Sequence, residues 1–267
     1  EGTADDIGDA RLLHAVWRRW GDDCADRLLG DFAFAIWDPR AQSLFCARDI
    51  AGVRPFYYCH RPGKLFAFAS QPDALLALPD VPRDFDEGRL VDALVPLLQG
   101  YDNTSTFFSA IRRLPPAHVL VLDSGQLRLR QYWTPVSSPP ANLPDSEQGW
   151  IDGLRDLLRE SVRCRLRGNV RVGSMLSGGL DSSAVVAFAS AALEAQGRGR
   201  LATFSDVSSL EDCPETRAIR SMLATFDLDA TCLDWQQVPG LMDRLARDWP
   251  QMGEPFDGNM ALVECQY

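Results

Sequence analysis

Histidine is scarce in this 267-residue chain, with three copies, and neither it nor cysteine falls at metal-ligand spacing. The seven cysteines (Cys24, Cys46, Cys59, Cys164, Cys213, Cys232 and Cys265) are scattered, with no CxxC pair, which argues against a zinc site. An odd number of mostly apolar-flanked thiols also argues against a disulfide scaffold and suits a reducing, cytoplasmic setting. Positive charge is short: 27 Lys and Arg against 37 Asp and Glu give a net charge of −10, which argues against nucleic acid as a main partner. No apolar run approaches the length of a membrane span, and no signal peptide opens the chain. The chain opens on Glu1 rather than Met and closes on the apolar, uncapped stretch Met260 to Tyr267, so it reads as a fragment.

What is present is a soluble globular composition, 46% hydrophobic and 24% charged, long enough for one large or two ordinary domains. Leu12, Leu13, Val16, Trp17 and Trp20 make one face of an opening helix, with Asp9 as its N-cap and Gly21 as its stop. The period then changes to that of strands. Phe32 to Trp37 and Leu44 to Ala47 make a hairpin, as do Phe56 to Cys59 and Leu65 to Ala69. A helix over Glu87 to Leu98 follows, then a hairpin of His118 to Leu122 and Leu127 to Trp133. Repeated hairpins with helices outside them predict an α+β layered domain of antiparallel sheets over residues 1–134.

The run PVSSPPANLP, Pro135 to Pro144, loses all apolar periodicity and marks a linker, placed at 135–148. Beyond it, over 149–267, helix and strand alternate. Trp150 to Val162 is helical, Val170 to Leu176 reads as a buried strand, and a helix starts at Ser182. Leu201 to Phe204 is a strand, Pro214 and Glu215 open another helix, and Thr231 to Leu233 is a third strand. This alternation predicts a parallel sheet with helices on both faces and a ligand at the carboxyl ends of its strands.

The stretch VRVGSMLSGGLDSS, Val170 to Ser183, carries the densest chemistry. Strand, glycine turn and helix together aim free backbone N–H groups and a helix dipole at an anion. Gly178 and Gly179 let the backbone approach a ligand, while Ser177, Ser182 and Ser183 add hydroxyls. Asp181 places a carboxylate where a phosphate-bound Mg²⁺ could be met. An ordinary strand-to-helix turn capped by Asp181 or Ser182 is the simpler reading of such residues. Their density in seven positions favours the anion site. No Lys follows the glycines, so this is not a Walker loop, and no GxGxxG is present.

SGGLDSS resembles the pyrophosphate loop of the ATP pyrophosphatases, which cleave ATP between the α- and β-phosphates. The flanking segments extend that resemblance to the glutamine-hydrolysing asparagine synthetase family. GDFAFAIWD (Gly30 to Asp38), ARDIAGVRPFYY (Ala47 to Tyr58), FAFAS (Phe66 to Ser70) and LPPAH (Leu114 to His118) are similar to its amidotransferase domain. GSMLSGGLDSS, TFS (Thr203 to Ser205), Cys213-Pro214-Glu215 and GEPFD (Gly253 to Asp257) are similar to its synthetase domain. The fold this implies is an incomplete N-terminal-nucleophile amidotransferase domain, then an incomplete α/β ATP pyrophosphatase domain.

The resemblance implies glutamine hydrolysis in the first domain by a cysteine upstream of residue 1, and ammonia transfer to a carboxylate adenylated by ATP with Mg²⁺. Leu176, Ser177, Gly178, Gly179, Asp181, Ser182, Ser205 and Asp206 match its ATP-binding positions, with Asp206 replacing the usual apolar residue. Asp9 matches the aspartate that holds the α-amino group of glutamine. Arg48 and Asp49 read as structural. Implied partners are glutamine and aspartate or another carboxylate, with no nucleic acid or membrane, and a homodimer is compatible with the family. Relatives that form other amides share this chemistry, lasso-peptide cyclases among them, and Cys24 with Gly52-Val53-Arg54-Pro55 is similar to those. A non-catalytic binding module would account for the hairpins but not for the glycine loop.

Overall fold

The computed structural model describes residues 8–95, 102–135, 143–168, 171–208 and 213–234. The predicted residues Val170, Leu97, Leu98 and Cys265, residues 136–142 of the linker and the GEPFD segment lie outside them. The described residues fall into two compact units, one within Glu1–Ser137 and the other within Ser138–Trp249.

In the first unit, helix α1 (Asp9–Trp20) leads into a 3-10 helix (Gly21–Arg27), so Gly21 ends the α-helix but not the helical path. Gly8, not Asp9, is the N-cap. Extended backbone at Gly8 lets the helix begin one residue earlier, and the Asp9 carboxylate sits in the first turn, where the dipole favours it. Strands β1 (Ala33–Asp38) and β2 (Ser43–Arg48) form the first expected hairpin. β3 (Tyr57–Arg61) and β4 (Leu65–Ala69) form the second. A short helix α2 (Pro72–Leu76) follows, then α3 (Glu87–Leu94), whose start is capped by the Asp86 side chain accepting from Arg89 N–H at 3.1 Å. The chain turns extended at Val95, short of the expected Leu98. β5 (Arg112–Arg113), β6 (His118–Asp123) and β7 (Gln126–Gln131) complete the unit.

The strands form two antiparallel sheets, ordered β1-β2-β6-β7 and β4-β3-β5. Alternation along β2 and β6 then builds the layers. Phe45, Ala47 and Val119 point to a core shared with Cys24, Ala25, Val16 and Trp17 of the helical segments. Cys46 and Leu120 point the other way, onto Phe56, just before β3, and Tyr58 within it. Cys59 faces Leu75 of α2 with Val81 and Ile111. The result is helix, sheet, sheet, helix: the layered α+β class that the hairpins predict.

The second unit opens with α4 (Glu147–Arg165), capped by the Ser146 hydroxyl accepting from Gly149 N–H at 3.1 Å. β8 (Gly173–Met175), α5 (Leu180–Ala195), β9 (Ala202–Asp206), α6 (Pro214–Thr225) and β10 (Asp229–Leu233) then alternate. The sheet is parallel throughout, in the order β10-β9-β8. β8 is shorter than the expected Val170 to Leu176 strand and lies at the sheet edge. Gly173 and Met175 are exposed while Leu176 is buried, so the apolar run is half-buried rather than fully so. Helices on both faces were expected, but α4, α5 and α6 share one core through Val162, Val186 and Ile219. Successive right-handed crossovers that add strands in one direction place their helices on one face.

Candidate functional site

The glycine loop leaves the carboxyl end of β8. Leu176 seats it: the side chain is buried in the core and the N–H donates to Phe204 O at 2.8 Å. The Leu176 carbonyl accepts from the buried Ser205 hydroxyl at 2.8 Å, so β8 and β9 are laced together where they end. Gly178 then turns the chain with φ +79°, a region that disfavours side chains. A Cβ at Gly178 would also lie 2.7 Å from Glu215 O and 3.2 Å from Ile219 N, because the loop rests on the first turns of α6. Two separate constraints therefore demand glycine here.

Gly179 is the N-cap of α5, in extended backbone and without a side-chain cap, so the helix begins at Leu180 rather than Ser182. Ser182 does not cap; it closes the loop from inside the first turn. Its Oγ accepts from Ser177 N–H at 3.3 Å, lies 3.0 Å from Ser177 Oγ, and is 3.2 Å from the Gly179 carbonyl that it donates to. Asp181 stands exposed in the same turn, and Ser183 N–H is occupied by Gly179 O at 3.0 Å. The first-turn N–H groups of an α-helix have no intrahelical acceptor, and the helix dipole is positive there. Asp206 ends β9 at the same carboxyl edge and is exposed. The structure thus gathers Ser177, Gly178, Gly179, Asp181, Ser182 and Asp206 around one edge, with Leu176 and Ser205 beneath it. Sequence reasoning missed Thr216, which is buried and takes Ser208 N–H on its hydroxyl at 2.9 Å, tying the chain after β9 to α6. A buried threonine one turn into a helix gives no sequence signal of that bond.

The first unit contains a cleft of about 610 Å³ lined by Asp9 and Leu12 of α1, Gly30, Phe34 of β1, Arg54 and Ser70. One rim of it is set by Arg48 and Asp49. The buried Asp49 carboxylate accepts from the N–H groups of Ala51, Val53 and Arg54 at 3.1, 2.9 and 3.0 Å. Arg48 donates to the carbonyls of Arg54, Leu114 and Gly52 at 2.8, 2.7 and 2.6 Å. Tyr132 donates to Arg48 O at 2.8 Å, and burial pushes its phenol well above the usual range. These bonds bear out the structural reading of Arg48 and Asp49 as far as the turn goes: together they hold the backbone of residues 51–54. Cys24 is buried, and burial, with Asp22 next, pushes its thiol up to about 11, which opposes thiolate formation at neutral pH. Among the described residues, no group of three or more His, Cys, Asp and Glu is placed to hold a metal, and no helix is long and apolar enough to cross a membrane.

The chain thus carries a helix–sheet–sheet–helix unit of antiparallel strands, then a parallel α/β unit with a glycine loop at its strand ends. Residues 3–133 match the glutamine amidotransferase domain family, and residues 153–261 match asparagine synthase. The chain belongs to the family of the glutamine-hydrolysing asparagine synthetases. It is 37% identical over 194 residues to asparagine synthetase [glutamine-hydrolyzing] 3 of Bacillus subtilis, covering 73% of this chain and 31% of that protein. A putative asparagine synthetase of Mycobacterium tuberculosis is 34% identical over 189 residues, covering 68% of this chain and 28% of its own length. Amidase chry2 of Gibberella zeae is 31% identical over 184 residues, with 68% of this chain and 26% of that protein covered. The chain therefore spans about a third or less of the length of these relatives.

Proposed function

We propose that this chain supplies the glutamine-binding and ATP-binding parts of a cytoplasmic amide ligase that makes asparagine from aspartate and glutamine-derived ammonia. The observation that carries the reading is the loop from Ser177 to Ser182, glycine-turned, cross-braced by two serines, and set at the carboxyl edge of a parallel sheet on the N-terminus of α5. Such a loop suits a polyphosphate bound through backbone N–H groups and hydroxyls rather than through a lysine. In this reading Ser177, Gly178, Gly179 and Ser182 cradle the pyrophosphate. Asp181 would be the residue to hold Mg²⁺, to which it would offer a hard carboxylate oxygen. Leu176 and Ser205 hold the loop in place, and Asp206 flanks the adenine.

The chemistry runs in two halves. Water cleaves the glutamine carboxamide, giving glutamate and ammonia, with Asp9 holding the α-ammonium of the substrate. At the second site a carboxylate oxygen of aspartate attacks the α-phosphorus of ATP, and pyrophosphate leaves from the β-phosphate side. Ammonia then attacks the adenylated carbon, AMP departs, and the amide remains. The loop N–H groups and the dipole of α5 stabilise the charge that builds on the departing pyrophosphate. Small molecules are thus its substrates. The full-length protein, given ATP, Mg²⁺, glutamine and aspartate, is expected to yield asparagine, AMP and pyrophosphate. AMP and pyrophosphate released only when a peptide carboxylate replaces aspartate would move the acceptor to the lasso-cyclase type.

A further inference from the structure

We infer that Thr216 is a positioning residue for the nucleotide: through α6 it fixes where the glycine loop stands over the sheet edge. This rests on the reading of that loop as the ATP site and adds what holds the loop at its working position. The loop is one piece, since the Ser177 and Ser182 hydroxyls brace it from within at 3.0 Å. Two seats carry it. Beneath, the Ser205 hydroxyl donates to Leu176 O at 2.8 Å and joins β9 to the start of the loop. To the side lies the start of α6. A Cβ at Gly178 would fall 2.7 Å from Glu215 O, 3.0 Å from Ala218 Cβ and 3.2 Å from Ile219 N. At that closeness the loop and the helix start cannot shift independently.

Thr216 anchors that helix start. It is buried, and its hydroxyl oxygen accepts from Ser208 N–H at 2.9 Å. Ser208 follows Val207, whose own N–H donates to Leu233 O at 2.8 Å, so the bond reaches main chain held against β10. The contacts close a ring. Ser205 ties β9 to Leu176, the loop rests on α6 through Gly178, and Thr216 returns α6 to the chain leaving β9. Without the hydroxyl the ring opens at α6, and the turn beside Gly178 loses this tie to the strand end. Binding through fixed N–H groups depends on their placement, and an error of roughly 1 Å is enough to weaken it severely. Being buried, Thr216 reaches the nucleotide only through the loop.

Pyrophosphate release by the full-length protein, followed against ATP concentration with Mg²⁺, aspartate and glutamine, tests it. Thr216→Val keeps the shape and deletes the hydroxyl. Its KM for ATP is expected to rise at least about fivefold, the scale of one hydrogen bond, with the KM for aspartate unchanged. Thr216→Ser keeps the hydroxyl and should hold the KM for ATP within about twofold of wild type. Thr225→Val removes the hydroxyl bonded to Ser221 O at the far end of α6 and should leave that KM unmoved. A merely structural role reads differently, because fewer folded molecules lower kcat and leave KM as it was. Thr216→Val with the wild-type KM for ATP, whether or not kcat falls, would overturn the inference alone. If Thr216→Val does not fold, Thr216→Ser and Thr216→Ala differ by the hydroxyl alone and carry the comparison. A higher KM for ATP in Thr216→Ala is then expected, and equal values would overturn the inference. No pyrophosphate from the wild-type protein would overturn the ATP reading of the loop, and this inference with it.

Discussion

At the scale of single residues, the first unit depends on a buried carboxylate. The buried Asp49 carboxylate accepts three backbone N–H bonds, and truncation would remove the shared acceptor of all three donors at once. Hydrogen bonds to a charged group are worth roughly 1.5–3 kcal/mol each, with losses that do not add fully. Asp49→Ala is expected to destabilise the first unit by about 3 kcal/mol in urea unfolding; a loss under about 0.5 kcal/mol would show that the loop holds without it. Cysteine reactivity gives a second residue-level test, with the sign set by the thiolate. Cys24, raised to about 11 by burial and then Asp22, is almost wholly protonated at pH 8, with about one thiolate in a thousand. The Cys213 thiol is lowered by hydrogen bonding from Thr216, so it has more thiolate at the same pH. Iodoacetamide at pH 8 should label Cys213 and spare Cys24, with Cys24 labelling rising as pH approaches 11. Equal labelling at pH 8 would contradict the burial account.

At the scale of elements, most of the strands could be read from sequence because each hairpin pairs two short apolar runs around a turn. β1, β2, β4 and β6 fall within a residue of the expected runs. Caps were less legible. Gly8 and Gly179 begin helices without a side-chain cap, so an expectation built on polar caps places the first helix start at Asp9, one residue late. The burial of β8 was overestimated because an apolar run does not say whether a strand has neighbours on both sides. A hydrogen bond made by a buried side chain across a loop, such as Thr216 on Ser208, leaves no pattern in the sequence. The loop-to-helix element carries its own prediction. Gly178→Ala must place a Cβ against Glu215 O at φ +79°, which costs roughly 1–2 kcal/mol in backbone alone. The variant should bind ATP–Mg²⁺ at least about tenfold more weakly, as RT ln 10 is about 1.4 kcal/mol. Unaltered affinity in a fluorescent-nucleotide titration would separate the loop from the nucleotide.

At the scale of the whole molecule, we propose domains at 1–134 and 149–267 joined by a linker at 135–148. The helix α4 begins at Glu147, inside that interval, which narrows the segment to the proline-rich run. Limited proteolysis should cut first between Pro135 and Pro144, because exposed stretches without buried apolar residues are nicked preferentially. First cuts within Phe32 to Cys59 would instead mean that the N-terminal sheet opens more readily than the linker. The function of the whole molecule turns on which bond of ATP is broken. A loop built on Ser177, Gly178, Gly179 and Ser182, with no lysine to reach the terminal phosphates, is read as holding the pyrophosphate as a leaving group. The most direct measurement is chromatography of α-labelled ATP incubated with the full-length protein, Mg²⁺, glutamine and aspartate. Label in AMP, with matching pyrophosphate and none of either from Asp181→Ala, is the predicted result. Label accumulating in ADP, or AMP formed undiminished by Asp181→Ala, would contradict the account.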